Sequence, residues 1–150
     1  MSLDVGELLL ESVPFARTLG IVFESVADGR AICRVPDRAD LHNHVGGPHA
    51  GVLFTLAESA SGAAVLSSLG DQLSRAVPLA TTATIEYRKV ASGEVRAEAR
   101  LLADRDEIVA RLDAGDRPVF DVAVEVTNTE GVVVAALTVT WTLRPNRPAG

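Results

Sequence analysis

The stretch His42-Asn43-His44-Val45-Gly46-Gly47-Pro48-His49-Ala50-Gly51 runs straight into Val52-Leu53-Phe54-Thr55-Leu56-Ala57-Glu58-Ser59-Ala60-Ser61-Gly62-Ala63-Ala64-Val65-Leu66. A loop rich in Gly and His thus leads into a segment that is apolar on nearly every helical face. A helix of that kind is normally buried on all sides. One carboxylate, Glu58, lies within it, and burying an unpartnered carboxylate costs several kcal/mol or more unless it is paired or neutralised. The residue therefore demands an explanation.

The helix is expected over 49–68, with Gly70 at its end. Small residues at Ala57, Ser59, Ala60, Ser61, Gly62, Ala63 and Ala64 let another backbone approach closely, so a sheet is expected to wrap around it. On its N-terminal side, Leu3 to Thr18 suits a short amphipathic helix ending before Pro14. Ile21 to Val26 and Arg30 to Val35 flank an Asp28-Gly29 turn and read as a hairpin, and Pro36 to Pro48 as a structured loop. Beyond the helix, 71–78 reads as a loop. Thr82 to Tyr87 and Val95 to Leu101 read as strands joined near Ala91-Ser92-Gly93. The segment 104–115 is spaced for one or two helical turns. Phe120 to Val126 and Val133 to Thr142 alternate as a long closing hairpin, with a loose Pro-rich tail after Leu143. The order of elements predicts an α+β fold in which one curved antiparallel sheet packs on one helix. Neither alternating βαβ units nor a Gly-rich phosphate fingerprint is present.

With 150 residues, 47% hydrophobic and 23% charged, the chain 1–150 reads as a single globular domain. A net charge of −6 argues against a nucleic-acid or anionic-membrane surface, which needs dense Lys and Arg on one face. Cys33 is the lone cysteine, which excludes an intrachain disulfide and a cysteine-based zinc site and fits a reducing compartment. No apolar run free of polar groups is long enough for a membrane span, and the acidic N-terminus is unlike a secretory signal. The expected location is cytoplasmic.

Ala50 and Glu58 are eight residues apart, about 12 Å along a straight helix, too far for one small group to touch both. Residue 50 lies in the first turn, where backbone N–H groups lack helical partners and the helix dipole favours negative charge. That is the makings of an oxyanion site. A two-fold dimer with antiparallel central helices would bring Ala50 of one subunit to Glu58 of the other. A homodimer is therefore expected, with a dimer of dimers left open.

The segment Asn43 to Ala64, above all His49-Ala50-Gly51 followed by Leu53-Phe54-Thr55-Leu56-Ala57-Glu58, resembles the signature of hotdog-fold acyl-CoA thioesterases of the phenylacetate-pathway type. In that family an Asn precedes His-Gly-Gly and then Leu-Ala-Asp or Leu-Ala-Glu. The resemblance implies a hotdog fold along the whole chain, an acyl-CoA substrate, and no cofactor beyond the coenzyme A of that substrate. It casts the Ala50 amide as the donor that polarises the thioester carbonyl, Glu58 as the catalytic carboxylate, and Asn43 and His49 as polar loop residues. Gly51, Phe54, Thr82, Thr84, Arg88 and Lys89 become substrate-binding candidates, the strand Thr84 to Lys89 leading to the coenzyme A side. Ala50 replaces the first Gly of the pattern, Lys89 stands where Arg-Pro is usual, and Gly62 cannot supply the hydroxyl some relatives use. The segment 104–116 and the Ala-Glu pair resemble a hotdog subfamily with no assigned substrate.

Plainer readings accompany each candidate. Glu58 could be a structural carboxylate paired with an arginine, and His49 a simple helix cap. His42, His44 and His49 lack the carboxylates or cysteines a metal site would add. Arg88 and Lys89 could be solvated strand-end charges, and Leu53 and Phe54 core. The chemistry expected is thioester hydrolysis by a small or medium acyl-CoA thioesterase, with Glu58 acting as general base or nucleophile. The rivals are a non-catalytic acyl-CoA binder on the same groove and, less well matched in motif spacing, an acyl thioester dehydratase or hydratase using His44 or His49 with Glu58.

Overall fold

The computed structural model describes residues 4–147. In chain order its elements are α1 (Val5–Ser12), α2 (Pro14–Leu19), β1 (Val22–Ala27), β2 (Arg30–Val35), α3 (Ala50–Leu69), β3 (Ala76–Tyr87), β4 (Val95–Leu101), α4 (Arg105–Asp113), β5 (Val119–Thr127) and β6 (Val133–Pro145). The six strands form one antiparallel sheet in the order β1-β2-β4-β5-β6-β3. This sheet curves around α3, the hotdog architecture expected from the sequence.

Helix α3 makes that wrapping possible. Leu56, Ala57, Ala60, Ala63 and Ala64 are fully buried against strands and against the other helices. The sheet side is supplied by alternation: Ala97 and Ala99 of β4, and Val122, Val124 and Val126 of β5, point inward while their neighbours face water. By length and composition alone the segment Ala50–Gln72 passes for a membrane-crossing helix, although Glu58 and several hydroxyl residues interrupt its apolar run, as expected from the sequence. Two thirds of its most apolar 18-residue window is buried inside the fold, as suits the core helix of a wrapped sheet.

Several boundaries differ from the expectation for physical reasons. A single N-terminal helix was expected to end before Pro14. The break falls there, but Pro14 opens a second helix, because at the first helical position its missing N–H leaves no bond unmade. The start of the expected helix at Leu3, and the last residues of the expected loose tail, lie outside the described residues. Over 71–78 the expected loop is cut short, since β3 already begins at Ala76 and includes Pro78. A proline fits there because β3 is an edge strand with a free side. The strands meeting near Ala91-Ser92-Gly93 are not neighbours: β3 pairs with β6, and β4 lies between β2 and β5. The turn Asp28-Gly29 has positive φ at both residues, the backbone of a tight hairpin.

The segment 104–116 does form a short helix, α4. Asp104 caps it by accepting from the Asp106 amide at 2.7 Å. Arg105 then reaches the end of α3, donating to the Ser68 carbonyl and gripping both oxygens of Asp71 at 2.9 and 2.6 Å. The insertion is thus fastened to the C-terminal end of the central helix, away from Ala50.

If close approach along α3 governs the fold, Ala60→Leu should destabilise it by ~1–3 kcal/mol through overpacking. Leu56→Ala should cost ~2–5 kcal/mol through the cavity it leaves. Urea unfolding midpoints would measure both, and an Ala60→Leu protein as stable as wild type would show that the sheet has room to spare.

Candidate active site

The loop before α3 is built by its own polar groups. The Asn43 side-chain oxygen accepts from the Val45 and Gly47 amides at 3.0 and 3.1 Å, and its side-chain nitrogen donates to the Pro48 carbonyl at 3.4 Å. The Asn43 amide donates to the Gly47 carbonyl at 2.7 Å, closing the turn. Asn43 therefore shapes the loop. Gly47 fits closely against the 88–93 loop, where a Cβ would lie 2.0 Å from the Ala91 carbonyl oxygen. Only glycine permits that approach.

His49 is the N-cap of α3, and its Nδ1 accepts from the Gly51 amide at 2.8 Å. That bond fixes the ring and uses one of the first-turn amides. The Val52 and Leu53 amides return to the His49 carbonyl. The Ala50 amide makes no hydrogen bond among the described residues, and Ala50 is exposed. The donor that the sequence singled out is thus free at the positive end of a 20-residue helix. The Ala50 carbonyl accepts from the Tyr87 hydroxyl at 3.2 Å, which pins the end of β3 to this helix terminus. Sequence reasoning missed Tyr87, whose role rests on a contact 37 residues away.

Gly51, His49, Phe54, Thr55 and Tyr87 line a cleft of about 560 Å³ at this end of the helix. Phe54 is half-buried and faces the cleft, whereas Leu53 is core. Arg88 and Lys89 directly follow Tyr87 and are exposed, with Arg88 Nε 3.3 Å from Glu86. Thr82 and Thr84 sit on the exposed edge strand opposite Thr140 and Thr138, and neither lines this cleft or the cavity at Glu58. The three histidines do not converge: His42 Nε2 is 2.6 Å from Asp37, and no cluster of three metal-ligating side chains occurs among the described residues.

Glu58 lies two helical turns further on, half-buried, on the wall of a separate cavity of about 230 Å³. No salt bridge or side-chain hydrogen bond reaches its carboxylate among the described residues. The structural reading of a carboxylate neutralised by an arginine therefore fails within the chain. Loss of water around it raises the Glu58 pKa above its ordinary value. The Glu58 turn is held from behind: Ser61 Oγ donates to the Glu58 carbonyl at 2.6 Å and accepts from the Trp141 indole N–H at 3.3 Å. Within the chain the free amide and the free carboxylate remain about 12 Å apart along the helix.

Residues 5–143 match a domain family of unknown function, DUF4442. The chain is 31% identical to a protein of unknown function from Pseudomonas aeruginosa described as a probable thioesterase, covering 95% of this chain and 94% of that one with a TM-score of 0.84. A point variant of the phenylacetic acid degradation protein PaaI from Thermus thermophilus is 26% identical, over 86% of this chain and 97% of its own, with a TM-score of 0.69. The E. coli PaaI protein of the phenylacetic acid degradation operon, 21% identical over 91% and 88%, shares the fold with a TM-score of 0.72. No curated protein matches the chain.

The raised pKa of Glu58 has a sign that can be checked. Between the ordinary value near 4.5 and the raised value of the folded chain, the native protein holds a proton that the unfolded chain has released. Native stability should therefore fall as pH rises through that window. Glu58→Gln should remove the fall and melt higher than wild type at neutral pH, the difference closing below about pH 4. Parallel melting curves against pH for the two proteins would count against a desolvated carboxylate.

Proposed function

We propose that this chain, which belongs to the DUF4442 family within the hotdog-fold thioesterase superfamily, hydrolyses the thioester of a small or medium acyl-CoA in a site shared between two copies of itself. The observation that carries this reading is the pairing of a free amide at the N-terminus of α3 with an unpartnered, desolvated carboxylate on the same helix. Water attack on a thioester needs both: a donor for the oxyanion and a base, or nucleophile, with a raised pKa.

The separation along α3 requires a second subunit, and the sheet offers a place for one. The edge at β1 is guarded by a bulge between Phe23 and Ser25 and by Glu24, which pairs with Arg34 at 3.2 Å and with Arg96. The edge at β3 is less guarded: it carries Pro78 and a bulge between Ala80 and Thr82, but Leu79-Ala80-Thr81-Thr82-Ala83-Thr84-Ile85 holds no charge. A long edge of that kind is a template for pairing with another strand. Joining two β3 edges about a two-fold axis would continue the sheet and lay the two central helices side by side, antiparallel. Ala50 of one copy would then face Glu58 of the other. Thr82 and Thr84 belong to that seam in this reading. Arg88 and Lys89, beside the Tyr87 tether, would meet the phosphates of coenzyme A.

In each site the thioester carbonyl oxygen would accept from the Ala50 amide. Glu58 of the other copy would then take a proton from the attacking water, or attack the carbonyl itself to form an anhydride that water opens. The thiolate of coenzyme A leaves and is protonated from solvent. Asn43 and His49 hold the loop and helix cap in place. No cofactor enters the reaction, and a cytoplasmic acyl-CoA pool would supply the substrate.

Two variants test the two halves. Glu58→Gln should lower kcat by ~10²–10⁴ while the fold survives. Ala50→Pro removes only the amide: proline is accepted at the first helical position, and His49 already has the extended backbone that precedes a proline, with φ −61° and ψ 148°. Its kcat should fall by ~10²–10³. Mixing the two inactive proteins under subunit exchange should restore activity to about a quarter of wild type, because each mixed dimer regains one intact site. Thiol release from a panel of acyl-CoAs is the readout. No release by wild type from any member, alongside tight binding of one, would point to an acyl-CoA binding protein.

A further inference from the structure

The cavity beside Glu58 is more than the surroundings of a carboxylate. Its wall follows α3 from Glu58 and Ser59 past Gly62 to Val65 and Leu66, about 12 Å along the axis. Leu9, Val13 and Ala16 of the two N-terminal helices cover one side, and Phe23, Pro78 and Trp141 complete it. Apart from Glu58 and Ser59, every lining residue is apolar, and among the described residues no Lys, Arg or His lines it. We propose that this cavity receives the acyl tail of the substrate, that it selects an uncharged apolar tail of medium size, and that Gly62 is the residue setting that size. The proposal rests on the thioesterase reading for what the tail is attached to.

The size follows from the volume. An engineered cavity of ~150 Å³ in another protein binds benzene, so about 230 Å³ holds a ring with a short spacer, or an alkyl chain of similar bulk. A fatty chain much longer than that would leave its far end outside the cavity, unburied. A tail ending in a carboxylate or ammonium would bury its charge against Leu66, Val65 and Phe23 with no counter-ion, and is rejected for that reason.

Gly62 is not demanded by packing. A Cβ placed there would lie 3.6 Å from the Trp141 ring, an ordinary contact, and the helical backbone has no need of glycine. What the missing side chain leaves is a gap about one methyl wide between α3 and Trp141, one turn beyond Glu58. A larger side chain at 62 fills the cavity where the tail would pass. Because each buried methylene is worth about fourfold in affinity, shortening the usable cavity should act on long tails and spare short ones.

Trp141 is the only tryptophan in the chain, so its fluorescence reports entry into this cavity directly. The probes are the non-hydrolysable thioethers S-ethyl-, S-octyl- and S-hexadecyl-CoA, titrated against wild type, Gly62→Ala and Gly62→Val, beside hydrolysis of acetyl- and octanoyl-CoA. S-octyl-CoA should change Trp141 emission saturably and bind at least tenfold tighter than the other two. The preference for octyl over ethyl should fall stepwise through Ala to at least tenfold lower in Val, with a matching fall in the octanoyl to acetyl ratio of kcat/KM. Gly62→Ala keeps the test alive should Val fail to fold. Octyl binding without a Trp141 response, equal affinity for hexadecyl, or a preference untouched by either substitution would overturn the proposal. A saturable Trp141 response in a protein that releases no thiol would support the cavity assignment while counting against hydrolysis.

Discussion

Close contact between the sheet and α3 is the constraint on which everything else depends. A helix with no polar side to turn toward water must be enclosed, and one sheet can enclose it only if strand backbones come near enough to seal the seam. Ala57, Ala60, Ala63 and Ala64, all fully buried, provide that nearness, and the inward Val and Ala residues of β4 and β5 fit against them. The arrangement leaves little of α3 facing outward. That remainder holds Ala50, Phe54, Thr55, Glu58 and Ser59, all exposed or half-buried. The candidate site groups occupy the strip that the sheet does not cover.

Rigid surroundings hold this strip in place from both ends. At the N-terminal end, Asn43 folds the loop, Gly47 lets it lie against Ala91, and Tyr87 ties the end of β3 to the Ala50 carbonyl. At the C-terminal end, Arg105 joins α4 to Asp71 and the Ser68 carbonyl. The middle is steadied by the Trp141–Ser61 bond. A free amide and a free carboxylate are costly features in isolation, and a frame of this kind keeps both from relaxing into local partners.

Much of this could be read from the chain because its signals are local. Period-two alternation marked β4, β5 and β6, the Asp28-Gly29 turn marked the first hairpin, and the unbroken apolar run marked α3. Glu58 and Ala50 stood out for the same reason: one is a charge where none should be buried, the other a first-turn position. What escaped was decided by distant residues. The pairing of β3 with β6 leaves no trace in either strand, and without it Pro78 looks like a strand breaker. Proline 14 reads as a stop in the linear pattern, although it serves equally well to begin a helix. Tyr87 and the Trp141–Ser61 bond act across 37 and 80 residues, and no periodicity announces them. Thr82 and Thr84 were placed on the right strand, but which side of the molecule that strand faces depends on sheet order.

The position of β6 has a consequence for how the chain comes into being. Helix α3 ends at Leu69, while Trp141 and Leu143, which cover it from β6, lie more than seventy residues later. During synthesis the apolar segment leaves the ribosome well before the strands that enclose it, at a length and composition that a membrane insertion machinery would also accept. For the interval between those two events α3 lacks the strands that cover it, an exposed apolar surface of the kind that makes folding intermediates prone to aggregate. The length of that exposure is set by the distance in the chain between the helix and its last hairpin, a cost of the topology that the native stability does not register.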